Sequence, residues 1–155
     1  EGGGHGFGRL LDEYRYYAAE LPSDDKNSIK SWRSKDPYYG YNLDLTGDRN
    51  KVHWAHYFDR PGYEAVSMYE GGCLYEYGVW RPEYISCMED NRPYYNAPSR
   101  EAIVRRIMRA SGKTFNMEDF ISKDKIRSEK GAPQTRTDYV TEAFVPFAPP
   151  IRVER

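Results

Sequence analysis

The residues whose types and spacing could do chemistry lie at the start of the chain, in positions 1–14. Glu1 is followed by three glycines and His5, and Asp12 comes seven positions after His5. Zinc hydrolases with an H-E-x-x-H motif hold the metal between two imidazoles, and the glutamate beside the first histidine takes a proton from a zinc-bound water. In that chemistry Glu1 would be the general base, His5 the second imidazole ligand and Asp12 the third ligand. The first histidine would precede Glu1.

The spacing between Glu1 and His5 differs from that motif by one residue. Three residues separate them, where the motif has two. A histidine just before Glu1 would lie about 140° from His5 on a regular helix. One extra residue accommodated as a π-bulge would restore a common face, and glycines tolerate that distortion. We therefore expect a π-bulge in the helix that carries His5.

The glycine-rich residues 1–8 also have interpretations that do not involve a metal. A phosphate-binding loop would need Gly-Lys-Ser or Gly-Lys-Thr, but Gly8 is followed by Arg9. A glycine-rich loop before a helix, with His5 an ordinary surface residue, fits the bare pattern as well. His53 and His56 have a spacing that suits metal ligands on a helix, but their aromatic neighbours favour packing or hydrogen bonding.

Composition argues against several classes of protein. The formal net charge of −1 is unsuited to binding nucleic acid mainly through phosphates, so no nucleic-acid partner is expected. No apolar run reaches the roughly 18 residues of a membrane span. The 15 Tyr, 6 Phe and 3 Trp supply a core, which argues against disorder.

Two cysteines, Cys73 and Cys87, could form one disulfide or remain two thiols, and the sequence leaves both possibilities open. Because the glycine-rich opening is unlike a natural start, we expect a piece of a longer protein.

The first elements that must position the candidate residues are a helix and a long loop. Apolar side chains at three- and four-residue spacing predict a helix over residues 9–21, which Pro22 ends. The polar, punctuated residues 22–50 predict a long ordered loop. Residues 51–58 suggest a short packed helix or strand, and residues 62–96 suggest tight turns with aromatic packing.

The later elements are mainly helical. A helix is predicted over residues 97–111, with Asn96 as its N-cap, and a second short helix from Asn116. Residues 139–145 suggest an edge strand. The predicted apolar stripe of the helix over residues 97–111 consists of Ile103, Val104, Ile107 and Met108. Four arginines are predicted to face largely toward solvent: Arg100, Arg105, Arg106 and Arg109.

Several segments together resemble the IgA-metallopeptidase family, which is family M sixty-four of the peptidase classification. The resemblance covers roughly residues 1–122. It is carried by Glu1-Gly-Gly-Gly-His5-Gly-Phe-Gly-Arg-Leu-Leu-Asp12-Glu13-Tyr14, Trp54-Ala-His56-Tyr-Phe58, Met68-Tyr69-Glu70-Gly71-Gly72, Tyr77-Gly78-Val79-Trp80-Arg81-Pro82, Cys87-Met88 and Ser99-Arg100-Glu101-Ala102-Ile103. Members with the same extra residue are typical of secreted proteins of gut bacteria, which implies a secreted, periplasmic or cell-surface location.

The resemblance implies a zinc-dependent endopeptidase, and for this chain the C-terminal part of a metzincin-like catalytic domain. It places Glu1 as the general base and His5 and Asp12 as Zn²⁺ ligands, with Glu13 as the fallback for Asp12. Met88 takes the position of a methionine turn, an apolar floor beneath the metal. Candidate oxyanion or substrate contacts are His56, Tyr69, Tyr77 and Glu70. Glu70 could equally brace a turn through backbone hydrogen bonds.

The expected fold class is α+β, loop-rich with a few helices. Residues 1–21 would form an active-site helix, 22–96 an aromatic loop-rich region with the methionine turn, 97–122 a helical subdomain and 123–155 an extended tail. The partners would be a protein or peptide substrate and the rest of the parent chain upstream of Glu1. Two alternatives remain open: a non-catalytic carbohydrate- or peptide-binding module, and a pseudo-peptidase that keeps the fold without turnover.

Overall fold

A computed structural model describes residues 2–91 and 93–124 of the chain. Within these residues the fold is mixed α+β, as expected, with one three-stranded sheet and several helices. Glu1, the strand expected at 139–145 and the tail after residue 124 lie outside the described residues.

A π-helix over Gly4–Gly8 opens the described chain. It follows the helical turn of Gly2 and Gly3, and it ends at Arg9, whose φ of 51° is left-handed. The amide of Leu10 donates to the carbonyl of Gly4 at 2.9 Å and closes this end. A π-helix is therefore present in the segment that carries His5, but it begins at Gly4 and runs on to Gly8, whereas the bulge was expected between Glu1 and His5.

The sheet consists of β1 (Arg15–Glu20), β2 (Tyr69–Gly72) and β3 (Leu74–Arg81), in the order β1-β3-β2. Strands β2 and β3 are antiparallel, whereas β1 runs parallel to β3. The tight turn between β2 and β3 places Cys73 at a φ of 49°.

The prediction of a helix over residues 9–21 is wrong. The active-site helix expected over residues 1–21 is therefore absent beyond the π-helix, within the residues that the structure describes. Residues 15–20 form β1 instead. The regularly spaced apolar residues do not share a face, because Leu10 and Leu21 are buried in different clusters and Tyr17 is 53% exposed. Pairing with β3, which lies far away in the sequence, decides the conformation, and tyrosine suits a strand.

The long loop predicted over residues 22–50 is also wrong in its first half, because Ser23–Lys35 form helix α1. Asp24 and Asp25 lie in its first turn and Lys35 in its last, which stabilises the helix dipole at both ends. Only Ile29 of this helix is buried, so the sequence carries no apolar stripe that would reveal it.

Three of the remaining helical segments lie where short-range signals predict them: a 3₁₀ turn over Ala55–Tyr57, α3 over Ala97–Ala110 and α4 over Met117–Lys123. Helix α2 (Cys87–Asp90), like β2 and β3, lies within residues 62–96, where the sequence suggested only tight turns with aromatic packing. Asn96 and Asn116 cap α3 and α4 as expected, because each side chain accepts from a backbone amide of the first turn.

The predicted faces of α3 are only partly right: Ile103 and Val104 pack against the core as expected, but Ile107 and Arg106 do not lie as predicted. Its buried residues are Ala97, Pro98, Ser99, Glu101, Ala102 and Arg106, whereas Ile107 is 50% exposed. Arg106 is buried because it pairs with the carboxylate of Asp36 and donates to the carbonyl of Gly8 at 3.0 Å. Ion pairs with buried partners, rather than hydropathy, thus set the inner face of α3. Of its four arginines, only Arg109 is exposed.

Three apolar clusters form the core. One contains Val52, Trp54, Tyr57 and Phe120; a second contains Leu10, Tyr41, Met88 and Ala102; a third contains Leu21, Ile29, Leu43 and Val79. Cys73 and Cys87 are both thiols, with no disulfide between them. None of the helices within 2–91 and 93–124 has the length and apolar character needed to cross a bilayer.

Candidate metal centre

The structure brings His5 and Asp12 together. His5 lies on the π-helix, and the left-handed turn at Arg9 leads the chain back so that Asp12 faces the imidazole. His5 Nε2 lies 2.8 Å from Asp12 Oδ1, and the imidazole is partly exposed. Two of the residues that the sequence nominates as metal ligands are therefore neighbours in the fold.

The hydrogen bonds around this pair leave two electron-pair donors facing each other. His5 Nδ1 donates to the carbonyl of Leu10 at 2.9 Å, and in neutral imidazole this leaves Nε2 without a proton. Asp12 Oδ1 is buried, and apart from its contact with His5 Nε2 it has no hydrogen-bond partner among the described residues. With Nε2 protonated the contact is an ion pair; with Nε2 unprotonated the nitrogen and the carboxylate oxygen are two donors of the types that a metal cation takes.

The pair does not complete a metal centre by itself. Among the residues that the structure describes, no three His, Cys, Asp or Glu side chains form a metal-binding group. Zn²⁺ normally takes three protein ligands in a catalytic site. His5 and Asp12 thus supply two donors of the right types, and a third would have to come from outside the described residues.

Met88 lies directly against the π-helix. It is fully buried in the cluster with Leu10, and a methyl group added at Gly4 would lie 2.5 Å from its sulfur. The glycine therefore allows the methionine to approach the backbone one residue before His5. This is the neighbourhood in which a methionine turn would lie.

Short-range bonds hold the turn that carries Met88. Ser86 caps α2, its hydroxyl accepting from the amide of Met88 at 3.1 Å. The amide of Glu13 donates to the carbonyl of Met88 at 2.8 Å. Met88 is thereby tied both to its own turn and to the segment after Asp12.

Glu13, the fallback ligand, is placed in the interior and not against His5. Its carboxylate is fully buried and accepts hydrogen bonds of 2.7 Å from Asn42, Ser86 and Asn96. Burial raises the pKa of Glu13 to about 7, although the three hydrogen bonds act in the opposite direction. Sequence reasoning missed Asn42 and Ser86, whose types and spacing carry no signal of such a cluster.

The oxyanion candidate His56 is bound elsewhere. Its Nε2 lies 2.9 Å from Glu101 Oε2 on α3. Glu101 is fully buried and also accepts from Tyr57 and Arg105. Burial by itself would raise the pKa of Glu101, but the bonds from His56 and Arg105 prevail and lower it. The contacts of His56 thus connect the 3₁₀ turn to α3.

His53 and His56 do not share a ligand position. His53 Nδ1 lies 3.1 Å from Asp44 Oδ2, whereas His56 contacts Glu101. The expectation that these two histidines serve packing and hydrogen bonding is confirmed.

The other candidate contacts lie on the sheet. Glu70 accepts from the amide of Gly78 at 2.9 Å, so it braces the β2–β3 hairpin, the second of its two expected roles. The ring of Tyr69 packs edge-on against Tyr84, and burial raises its pKa. Tyr77 is 51% exposed on β3. The described contacts of Tyr69 and Tyr77 do not include His5 or Asp12.

A cleft of about 330 Å³ adjoins Asp12. Its lining is mainly apolar and aromatic, with Asp25 and Ser28 of α1 as polar members. The larger apolar residues that line it are Leu11, Leu21, Ile29, Trp32, Tyr39, Leu74 and Tyr75. Cys73 also lines it, and burial raises the pKa of that thiol to about 12, which keeps it neutral.

Comparison with known proteins assigns no family to the chain. No protein-family model matches it, and a search of curated proteins finds no significant match.

Proposed function

We propose that this chain is part of the catalytic domain of a zinc-dependent endopeptidase, in which His5 and Asp12 are two of the metal ligands. The observation that carries the proposal is the His5–Asp12 pair. One imidazole nitrogen is anchored to a carbonyl, and the other faces a buried carboxylate oxygen that has no other hydrogen-bond partner among the described residues. The motif resemblance to the IgA-metallopeptidase family supports the same assignment.

The chemistry divides between the metal and the chain. Bound zinc would activate a water molecule and polarise the scissile carbonyl. Glu1 would take the proton of that water and return it to the leaving amine. Leu10, through its carbonyl, keeps His5 in the tautomer that can bind metal. A further imidazole would be supplied by residues outside this chain, as the family pattern requires.

The cleft beside Asp12 supports a peptide as the substrate. It is large enough for a bulky side chain, and its aromatic and aliphatic lining would bury one. A secreted, periplasmic or cell-surface location belongs to the same proposal and rests on the resemblance alone.

A second candidate is a carbohydrate- or peptide-binding module, and one observation favours it. Tyr16 and Tyr17 of β1 are 73% and 53% exposed, and the ring of Tyr17 contacts that of Tyr75. Exposed aromatic rings on a sheet edge are suited to stacking on a ligand. A pseudo-peptidase differs from both, since it would bind zinc without turnover.

Zinc content and peptidase activity, measured together in the full-length protein, separate these candidates. The proposal expects one zinc per chain, cleavage of a mixed peptide substrate, and loss of both in His5→Ala. His53→Gln, which alters a histidine of the interior network, should keep its zinc. Zinc binding that survives His5→Ala would contradict the proposal, and zinc without cleavage would indicate the pseudo-peptidase.

A further inference from the structure

The carboxylate of Glu13 joins three segments of the chain immediately after Asp12. Its Oε1 accepts from the side-chain amides of Asn42 and Asn96, and its Oε2 accepts from the hydroxyl of Ser86, each at 2.7 Å. A fully buried carboxylate is costly unless such bonds satisfy it. The buried carboxylate of Glu13 therefore lies next to the candidate ligand Asp12 and is surrounded by hydrogen-bond donors.

Asn42 connects Glu13 to the backbone on the near side of Asp12. Its Oδ1 accepts from the amide of Leu11 at 3.0 Å, and its Nδ2 donates to the carbonyl of Leu11 at 2.8 Å. On the far side, the amide of Glu13 donates to the carbonyl of Met88 at 2.8 Å. The peptide groups flanking Asp12 are therefore held from both directions.

Ser86 connects the same carboxylate to the turn that carries Met88. Its hydroxyl donates to Glu13 and accepts from the amide of Met88, so one side chain sets the orientation of that turn. Met88 in turn packs against Gly4 of the π-helix.

Asn96 connects Glu13 to the element that packs beside the π-helix. Its Nδ2 donates to Glu13, while its Oδ1 accepts from the amide of Ser99 and caps α3. Arg106 of α3 donates to the carbonyl of Gly8 at the end of the π-helix.

We propose that Glu13 is a positioning residue, which fixes Asp12 relative to His5 by holding the backbone of residues 11–13 against the Met88 turn. The inference rests on the proposed zinc site, because it assigns Glu13 a role in that site's affinity for metal. Groups that orient metal ligands typically contribute about 10- to 100-fold to metal affinity.

Glu83 provides a matched control within the same region. It is also buried, and its carboxylate accepts from the hydroxyl of Tyr94 and the amide of Ala97 at the start of α3. Its described bonds do not reach residues 10–13. A substitution of Glu83 therefore perturbs a buried carboxylate near α3 without touching the segment of Asp12.

The test measures zinc affinity by competition with a chromogenic chelator, together with thermal stability, in the full-length protein. In Glu13→Gln the amide oxygen can still accept from both asparagines, but an NH₂ group replaces the acceptor that faces Ser86. We expect zinc affinity to fall about 10- to 100-fold in Glu13→Gln. Glu83→Gln should lose stability while its zinc affinity stays that of the wild type.

Four outcomes would overturn the inference. A folded Glu13→Gln with wild-type zinc affinity would do so, as would an equal loss of affinity in Glu83→Gln. If Glu13→Gln fails to fold, Ser86→Ala takes its place. It removes the bond to Glu13 together with the α2 cap at the amide of Met88, and unchanged affinity there would have the same meaning. A wild-type protein that binds no zinc at all would refute the proposed function together with this inference, which distinguishes the two failures.

Discussion

At the scale of single residues, the orientation of the His5 ring separates a metal ligand from an ordinary surface histidine. A surface imidazole has no need of a fixed tautomer, but His5 Nδ1 is bonded to the carbonyl of Leu10. The remaining nitrogen meets Asp12 Oδ1, a buried oxygen with no other hydrogen-bond partner among the described residues. A proton on Nε2 or a bound cation would supply the positive charge that this contact needs, and the zinc proposal assigns that role to the metal.

Gly4 and Gly6 allow a matched test of the packing beneath His5. A methyl group at Gly4 would lie 2.5 Å from the sulfur of Met88, whereas one at Gly6 would meet no atom within 4 Å. We expect Gly4→Ala to destabilise the protein by about 1–3 kcal/mol through overpacking. Gly6→Ala should be neutral or slightly stabilising. Urea denaturation measures both, and equal stabilities would show that Met88 does not pack there.

The buried carboxylate of Glu101 should make the protein less stable to unfolding in acid. Because its folded-state pKa is lowered, its contribution is present above the unfolded-state pKa and is lost as the pH falls through the folded-state value. Glu101→Gln should cost about 1–3 kcal/mol at pH 7, since it weakens hydrogen bonds from partly exposed His56 and Arg105 to a buried carboxylate. The variant should also show a shallower loss of stability between pH 7 and pH 3. An identical acid profile in both proteins would contradict the role assigned to Glu101.

At the scale of elements, the cleft beside Asp12 depends on α1, a helix that the sequence pattern does not reveal. Ser28 is exposed on the helix face that lines the cleft, and Ser34 is exposed outside that lining. A phenylalanine at each position therefore differs mainly in whether it fills the cleft.

We expect Ser28→Phe to reduce kcat/KM for peptides with bulky side chains by about tenfold or more, because the new ring occupies their space. Zinc content should be unchanged in Ser28→Phe. Ser34→Phe should resemble the wild type in both measurements. A peptidase assay with bulky and small substrates checks this, and an equal effect of the two variants would show that substrates do not enter the cleft.

The elements differ in how far the sequence predicts them, and the range of the deciding interactions explains the difference. Asn96 and Asn116 cap their helices through amides three residues away, so a local pattern is sufficient. Strand β1 depends on pairing with β3, which no local pattern contains. Helix α1 buries only Ile29 and therefore lacks an apolar stripe.

At the scale of the whole molecule, buried charged residues join the segment of His5 and Asp12 to the later helices. Glu13 reaches Ser86 and Asn96, and Arg106 of α3 reaches Gly8. Polar residue types are ordinarily assigned to the surface, so the sequence predicted solvent-facing arginines where the structure buries Arg106. That His5 and Asp12 lie together was predictable, because the proposed metal ligands were chosen by residue type and spacing, whereas the residues that hold them in place have no such pattern.

The most direct test of the account is anomalous diffraction at the zinc edge from crystals of the full-length protein grown with zinc. The account predicts one strong peak within coordination distance of both His5 Nε2 and Asp12 Oδ1, at about 2.0–2.2 Å from each. It also predicts that the peak weakens or disappears in Asp12→Asn crystals, because the substitution removes the carboxylate charge. A zinc-replete wild-type crystal with no peak at this pair, or with His5 and Asp12 directed away from the metal, would contradict the zinc peptidase assignment.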